Sequence, residues 1–457
     1  MENGSINQHQ FGDKQIPTQP PSAWPPPDTI TPLSIKIAFL VYQMAWNIVI
    51  PFLRRNRRLQ HGFSQRTLQK LPAAADLWIQ AASVGEAFLA WEIIRKLDPP
   101  RPIRVFLTTY TSQGMEILEK ARSEAMQQTS KLTIDTAFFP FDHPALMTRA
   151  LAAIRPRVML LLESELWPGL LRSCKQQRVK VLVANGRMTA KSLSKYLFWP
   201  ALWRHLRPDR ILAISTDDAA RFAALFGRDN VATVPNIKFD RISNQGAQAA
   251  ADNPLIPLFP PDADLIVLGS VRQEEEADIM KLICAVRGKN KQIIIALFPR
   301  HMHRLHNWER MLEKHGCSWQ LRSRTTGPVR HGSIILWDTM GEMLFAYQLA
   351  RAAFVGGSLA PLGGQNFLEP LTCGLKPVIG PHWSNFVWIG QEIIDQQLVL
   401  QAKSWQEAAD LLLQNAANPP PRGQIRQEII AYVESRRGGT EKTCAIINSL
   451  LLEANNQ

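Results

Sequence analysis

From residue 76 onward, short apolar runs of strand length alternate with stretches of helical character, and after one interruption the alternation starts again. The first series places strands near 77–81, 104–108, 158–162, 179–184 and 210–214, with helices over 86–97 and 112–121. The second places strands near 265–269, 292–298, 333–337, 352–355, 377–379 and 398–400. Strands that alternate with helices build parallel sheets covered on both faces. The interruption, 243–261, is polar and rich in Ala, Asn and Pro, the composition of a linker. A chain of 457 residues exceeds one compact core, and 46% hydrophobic residues supply two. The expected fold class is α/β, with two Rossmann-like doubly wound domains, at 72–242 and 262–457, facing a cleft.

Ahead of the alternation lie two segments of different character. Residues 1–32 are polar and proline-rich, a composition that buries no core and reads as disordered. Residues 33–53 are mostly apolar and just long enough to span a bilayer, which takes about 20 residues. Their polar members Lys36, Gln43 and Asn47 fall on one face at helical spacing, so a helix lying in the membrane interface competes with a true span. A buried soluble helix is the third reading. Arg54, Arg55, Arg57 and Arg58 follow at once, so 33–58 reads as an anchor helix and basic cluster that favours the cytoplasmic side and anionic inner-leaflet lipids. Because the first strand begins only near Leu77, removal of residues 1–58 is expected to leave the core intact.

The formal net charge of +13 calls for an anionic partner. No zinc-knuckle spacing and no aromatic RNP pattern occurs, which argues against nucleic acid and for a membrane. Five scattered cysteines without a CxxC suit a reduced protein, not a disulfide framework or a zinc site.

Candidate chemistry gathers at predicted strand ends, where open α/β sheets bind their ligands. Gly356-Gly357-Ser358 closes the run 352–355, and Gly363-Gly364-Gln365-Asn366 leads into a helical segment opening at Phe367. Glycine lets a backbone approach a ligand, and free N–H groups at a helix start attract anionic oxygens. Asn366 and Glu369, an amide and an acid suited to ribose hydroxyls, and with them Phe367 and Leu368, read as nucleotide-binding, against the plainer reading of a tight βα turn. Arg300, with Pro299 and His301, follows the strand 292–298 and offers a planar fork to a phosphate, the alternative being a structural arginine paired with the following helix. Gly341, Glu342 and Met343 would begin a helix able to hold a phosphate, although Asp338 or Thr339 capping an ordinary helix explains the same pattern.

Glu86 follows a strand and a Ser-Val-Gly turn, at a helix start whose positive field favours the ionised carboxylate. An ionised acid there can take a proton from an acceptor hydroxyl; an isolated glutamate would only complement the helix dipole. Glu163 and Glu165 close the strand 158–162, where two acids are costly unless solvated or paired. Lys238 stands where the first domain ends, placed to neutralise a carboxylate or a departing phosphate; most such lysines simply snorkel at the surface. Asp262-Ala-Asp264 matches a DxD metal motif but precedes its strand, at the wrong end for the cleft.

Five blocks in order, Ala82-Ser83-Val84-Gly85-Glu86, Glu163-Ser164-Glu165-Leu166-Trp167-Pro168, Asn236-Ile237-Lys238-Phe239-Asp240, Pro299-Arg300-His301 and the glycine stretch through Pro370, resemble the 3-deoxy-D-manno-octulosonic acid (Kdo) transferases of lipopolysaccharide synthesis. The resemblance implies a GT-B glycosyltransferase that takes Kdo from the donor CMP-Kdo to a hydroxyl of a lipid A precursor (lipid IVA), at the cytoplasmic face of the inner membrane. It implies Glu86 as catalytic base, with Glu163 ordering the site and Lys238 supporting the transition state. CMP would lie on Pro299, Arg300, Gly341 to Met343 and Asn366 to Glu369. An inverting, metal-independent reaction without cofactor is expected, since one phosphate charge is within reach of Arg, Lys and helix dipoles. Gln80 and Gln365 stand where the family commonly has histidine. The rival readings are a sugar-nucleotide epimerase of similar two-domain shape and a non-catalytic, membrane-associated nucleotide-binding protein.

Overall fold

The computed structural model describes residues 32–242 and 252–453. The expected disordered lead and most of the expected linker lie outside them. The chain forms two compact units. Among the described residues, the first comprises 32–237 and 438–453, the second 238–242 and 252–437.

In the first unit, seven strands make one parallel sheet. They are β1 (Leu77–Ala81), β2 (Ile103–Thr109), β3 (Leu132–Phe138), β4 (Val158–Leu162), β5 (Lys180–Gly186), β6 (Arg210–Ala213) and β7 (Val231–Thr233), in the order β3-β2-β1-β4-β5-β6-β7. The order reverses at β1 and β4, and that switch point carries ligands in such sheets. All five residues of β1 and of β4 are buried, as strands covered on both faces must be.

The helices Val84–Lys96 and Ser112–Gln128 cover one face and share a core with the C-terminal helix Gly439–Glu453 through Cys444, Ile447, Leu450 and Leu451. This corrects the expected extent of the second domain. Residues 438–453 return to the first unit because their apolar stripe completes its core, and Asn448 donates to the Asp98 carbonyl across 3.0 Å.

The other face carries Pro144–Ile154, Pro168–Gln176, Ala190–Tyr196, Pro200–His205 and Thr216–Phe226. The N-terminal helix Leu33–Leu53 joins them. Its length and composition would allow it to cross a membrane. Its Ile35 and Phe39, however, are only 1% and 3% exposed within the core. Tyr42 donates to Asp142 across 2.9 Å, Asn47 lies 2.9 Å from His143, and Arg172 stacks on Phe39 at 4.6 Å. The opposite stripe, Leu33, Ile37, Leu40, Met44, Ile48 and Phe52, is exposed. The expectation that residues 1–58 add little to the core is therefore corrected: one face of this helix is core.

The second unit repeats the plan with β8 (Leu265–Val271), β9 (Ile294–Pro299), β10 (Trp319–Leu321), β11 (Ile334–Leu336), β12 (Ala352–Val355), β13 (Val378–Ile379) and β14 (Leu400–Gln401), ordered β10-β11-β9-β8-β12-β13-β14. Two boundaries differ from the sequence reading. Residues 238–242 pack here, with Phe239 and Ile242 against the core and both their carbonyls held by Arg437. Residues 252–261 are not linker: Leu255 and Leu258 are buried, and Asn253 donates to the Phe345 carbonyl and the Gln348 side chain.

Candidate active site

β1 and β4 are parallel neighbours, so their carboxyl ends open on the same edge of the sheet. Ser83 caps the helix Val84–Lys96 by accepting the Glu86 amide at 3.3 Å, which makes Glu86 the third helical residue, not the first. Its side chain turns back, taking the Ala82 amide at 2.8 Å and the Ser83 hydroxyl at 3.0 Å. This is a variant of the capping box, satisfying orphan donors of the first turn.

Glu86 is only 5% exposed. Burial first, then the charge of Glu165, pushes its carboxyl up to about 8; Glu163 adds to this, while the Ala82 and Ser83 hydrogen bonds oppose it. The expectation of an ionised Glu86 is thereby corrected. Helix-terminus fields are worth about 1 kcal/mol near the surface, and desolvation of a buried carboxylate exceeds that.

Glu163 donates its amide to the Ala184 carbonyl across 3.0 Å and adopts φ 53°. A non-glycine residue in the left-handed region costs on the order of 1–3 kcal/mol and recurs where side-chain aim matters. Glu165 is half-buried, its carboxyl raised by burial and by Glu163. Three carboxylates thus meet at one strand edge. Gln80, on β1, accepts the Thr108 hydroxyl at 2.6 Å while its buried amide nitrogen has no partner.

The second unit gathers the expected nucleotide residues differently from the sequence reading. Gly356 needs its missing side chain, since a Cβ would meet Glu275 and the Ser270 carbonyl at 2.6 Å. Gly357 adopts φ 68°. Their N–H groups, expected to be free for a ligand, are occupied. Gly356 donates to the Gly269 carbonyl at 2.8 Å and Gly357 to Glu275 at 2.5 Å. Glu275 also accepts the amides of Arg272 at 2.9 Å and Leu359 at 3.3 Å. The first glycine pair is a structural knot tied by a buried acid.

Glu369 lies in the short helix Leu368–Thr372, accepting the Asn366 amide at 3.0 Å. Burial raises its carboxyl, tempered by Asn366 and by the charge of Arg300. The structure thus brings Arg300, Asn366 and Glu369 together, with Phe367 buried beneath as the residue before the helix. Pro299 ends β9, and the exposed Arg300 donates its amide to the Val271 carbonyl at 2.8 Å. Gly341, at φ 86°, precedes the helix Met343–Leu349. Glu342 is engaged by Arg322 at 2.8 Å, Trp337 at 2.9 Å and Thr339 at 2.6 Å. Lys238 lies over the Trp388 ring at 5.8 Å. It packs in the second unit, not at the end of the first. Asp264 pairs with Arg351 at 2.7 Å, and Asp262 lies 3.6 Å from His331, ordinary surface partners for the DxD match.

Sequence reasoning missed Glu275. The signal was present: Glu275 stands three residues past Arg272 as Glu86 stands three past Ser83, each following a central strand. Both acids turn back onto backbone amides.

The sequence pattern described as 3-deoxy-D-manno-octulosonic-acid transferase (kdotransferase) matches residues 54–241. The chain is 31% identical over 389 residues to the 3-deoxy-D-manno-octulosonic acid transferase of Bordetella pertussis, covering 81% of this chain and 86% of that one. It is 28% identical over 371 residues to the corresponding transferase of Haemophilus influenzae, covering 80% and 84%. A glycosyltransferase structure from Rickettsia africae superposes with a TM-score of 0.52 at 9% identity, covering 82% of this chain and 98% of that one, which places the fold in the GT-B class.

Proposed function

The chain belongs to the 3-deoxy-D-manno-octulosonic acid transferase family, and we propose that it moves Kdo from CMP-Kdo to a hydroxyl of a lipid A precursor such as lipid IVA, with inversion and without a metal ion. The observation that carries this reading is the buried Glu86 carboxyl at the carboxyl end of β1, beside Glu163 and Glu165 at the end of β4, where burial pushes it up to about 8. A general base works best when its pKa lies near the operating pH. Glu86 takes the proton of the acceptor hydroxyl as that oxygen attacks the anomeric carbon, and the C–O bond to CMP breaks. One displacement assisted by one base inverts the anomeric centre.

Glu163 and Glu165 raise the proton affinity of Glu86, and the strained Glu163 backbone fixes the aim of its acid. In the second unit, Arg300 faces the departing phosphate, and Asn366 with Glu369 takes the ribose hydroxyls. Lys238 offers a further cation. A single phosphate needs less neutralisation than a pyrophosphate, which favours Arg and Lys over a divalent ion.

The exposed stripe of the N-terminal helix fits a helix lying on the inner leaflet at its cytoplasmic face, bound to the first unit by the opposite face of Ile35, Phe39 and Tyr42. The epimerase and non-catalytic readings leave Glu86 and the lipid-facing stripe without a task.

The test is transfer from CMP-Kdo to lipid IVA in excess EDTA, followed by mass spectrometry, beside thermal protection by CMP, UDP and ATP. Transfer under chelation and protection by CMP are expected. Activity that returns only with Mg²⁺, or protection by UDP alone, would overturn the reading.

A further inference from the structure

Phe198 is 93% exposed, the most exposed large apolar side chain among the described residues, and Leu197 beside it is 40% exposed. They form the turn between the helices Ala190–Tyr196 and Pro200–His205. The turn is firmly based: Tyr196 and Trp203 meet edge-to-face with ring centroids 4.6 Å apart, and Leu193 and Trp203 are in the core. A rigid base under a bare phenylalanine is not what solubility favours.

The surrounding sequence is strongly one-signed. Residues 166–208 contain nine lysines or arginines and no aspartate or glutamate. Lys191, Lys195 and Arg204, on the two helices of the turn, are exposed. The N-terminal helix packs on the same face of the sheet, and both share one core.

The turn also stands near the carboxylates. The Tyr196 hydroxyl is raised by burial and then by the charge of Glu165. Tyr110, at the end of β2, feels both Asp142, which holds the N-terminal helix, and Glu165. The tip's base therefore lies within electrostatic reach of Glu165, and Tyr110 within reach of both Glu165 and the acid that holds the N-terminal helix.

We propose that Leu197 and Phe198 form a second membrane-inserting tip, seated in an anionic lipid surface beside the N-terminal helix, so that the first unit is held at two points with its carboxylates near both. The occupant follows from charge: an apolar tip ringed by cations complements acyl chains beneath anionic headgroups. This rests on the lipid acceptor assigned above and gives it an orientation, since two contacts fix a plane where one helix allows rotation.

The experiment compares the full chain with Phe198→Asp and with the charge pair Lys191→Glu/Lys195→Glu, by flotation with phosphatidylglycerol-containing and with pure phosphatidylcholine vesicles. It needs no turnover, so its failure is distinguishable from failure of the transferase reading. Phe198→Asp should lower partition onto anionic vesicles about tenfold or more, without changing the melting temperature, because Phe198 touches almost nothing. The charge pair should lower anionic binding alone. Unchanged partition of both variants would overturn the proposal. So would a tip whose loss leaves vesicle binding intact but abolishes concentration-dependent self-association in sedimentation, since the occupant would then be a second copy.

Discussion

The Tyr42 hydroxyl donates to Asp142 across 2.9 Å, tying an apolar N-terminal helix to a carboxylate with no exposed surface. Asp142 also accepts the amides of Gly169 and Leu170, at 2.8 and 2.7 Å, and so caps the helix Pro168–Gln176. Burial raises its carboxyl to about 7 despite these three donors. The helix that carries the exposed apolar stripe is thus fastened to the first unit by hydrogen bonds as well as by Ile35 and Phe39.

Tyr42→Phe is expected to lower stability by about 1 kcal/mol, one hydrogen bond to a buried acceptor. Asp142→Ala should cost about 3 kcal/mol, because two helix amides lose their partner. Denaturant unfolding of both variants checks the order. Equal effects would mean that Tyr42 and not the helix cap dominates.

Glu86→Gln should reduce transfer by about 10²-fold or more while CMP affinity stays unchanged. It should also stabilise the fold. With the folded carboxyl raised from 4.5 to about 8, the native state holds a proton that the unfolded chain releases, so wild-type stability falls as pH rises from about 5 to 8. The amide variant escapes that loss. Its melting temperature should exceed the wild type's by a margin that grows over this interval, and a margin constant with pH would refute the burial argument.

The pH dependence of kcat/KM in the wild type should rise through about pH 8, where Glu86 gives up its proton. Glu165→Gln removes the larger of the two neighbouring charges and should move that rise to lower pH. A rise left in place would separate Glu165 from the base.

Arg300→Ala and Glu369→Ala should each weaken CMP by about tenfold in calorimetry, the scale of one charge-assisted hydrogen bond. Unchanged affinity in both would remove the donor-site assignment.

Glu275→Ala should destabilise the second unit by about 3 kcal/mol or more, since the amides of Arg272, Gly357 and Leu359 lose their buried acceptor. Hydrogen exchange should show the loss first around residues 356–359. CMP affinity should fall with it, although Glu275 lies beneath the turn.

The alternation of strand and helix was legible because parallel strands buried on both faces read as continuous apolar runs. β1, β4 and β12 were located to the residue. β3 was missed because Asp135 and two threonines interrupt its apolar pattern, and β7 and β10 because three residues carry little signal. The home of the last helix was hidden, since its partners in Val84–Lys96 lie some 350 residues away, as with Cys444 and Ile93. The placing of Glu86, Glu163 and Glu165 at strand ends was readable, but the upward push on the Glu86 carboxyl was not. Desolvation depends on what surrounds a group in three dimensions.

The return of Gly439–Glu453 to the first unit has a consequence for synthesis. The face of β4 and β5 that this helix covers cannot be closed until residues 439–453 have left the ribosome. Nascent chains fold domain by domain, N-terminal first, yet here the earlier half must wait for the later one to be made. During that interval an apolar sheet face stands open, and a premature stop anywhere before residue 439 would leave Glu86, Glu163 and Glu165 on a half that never finishes folding.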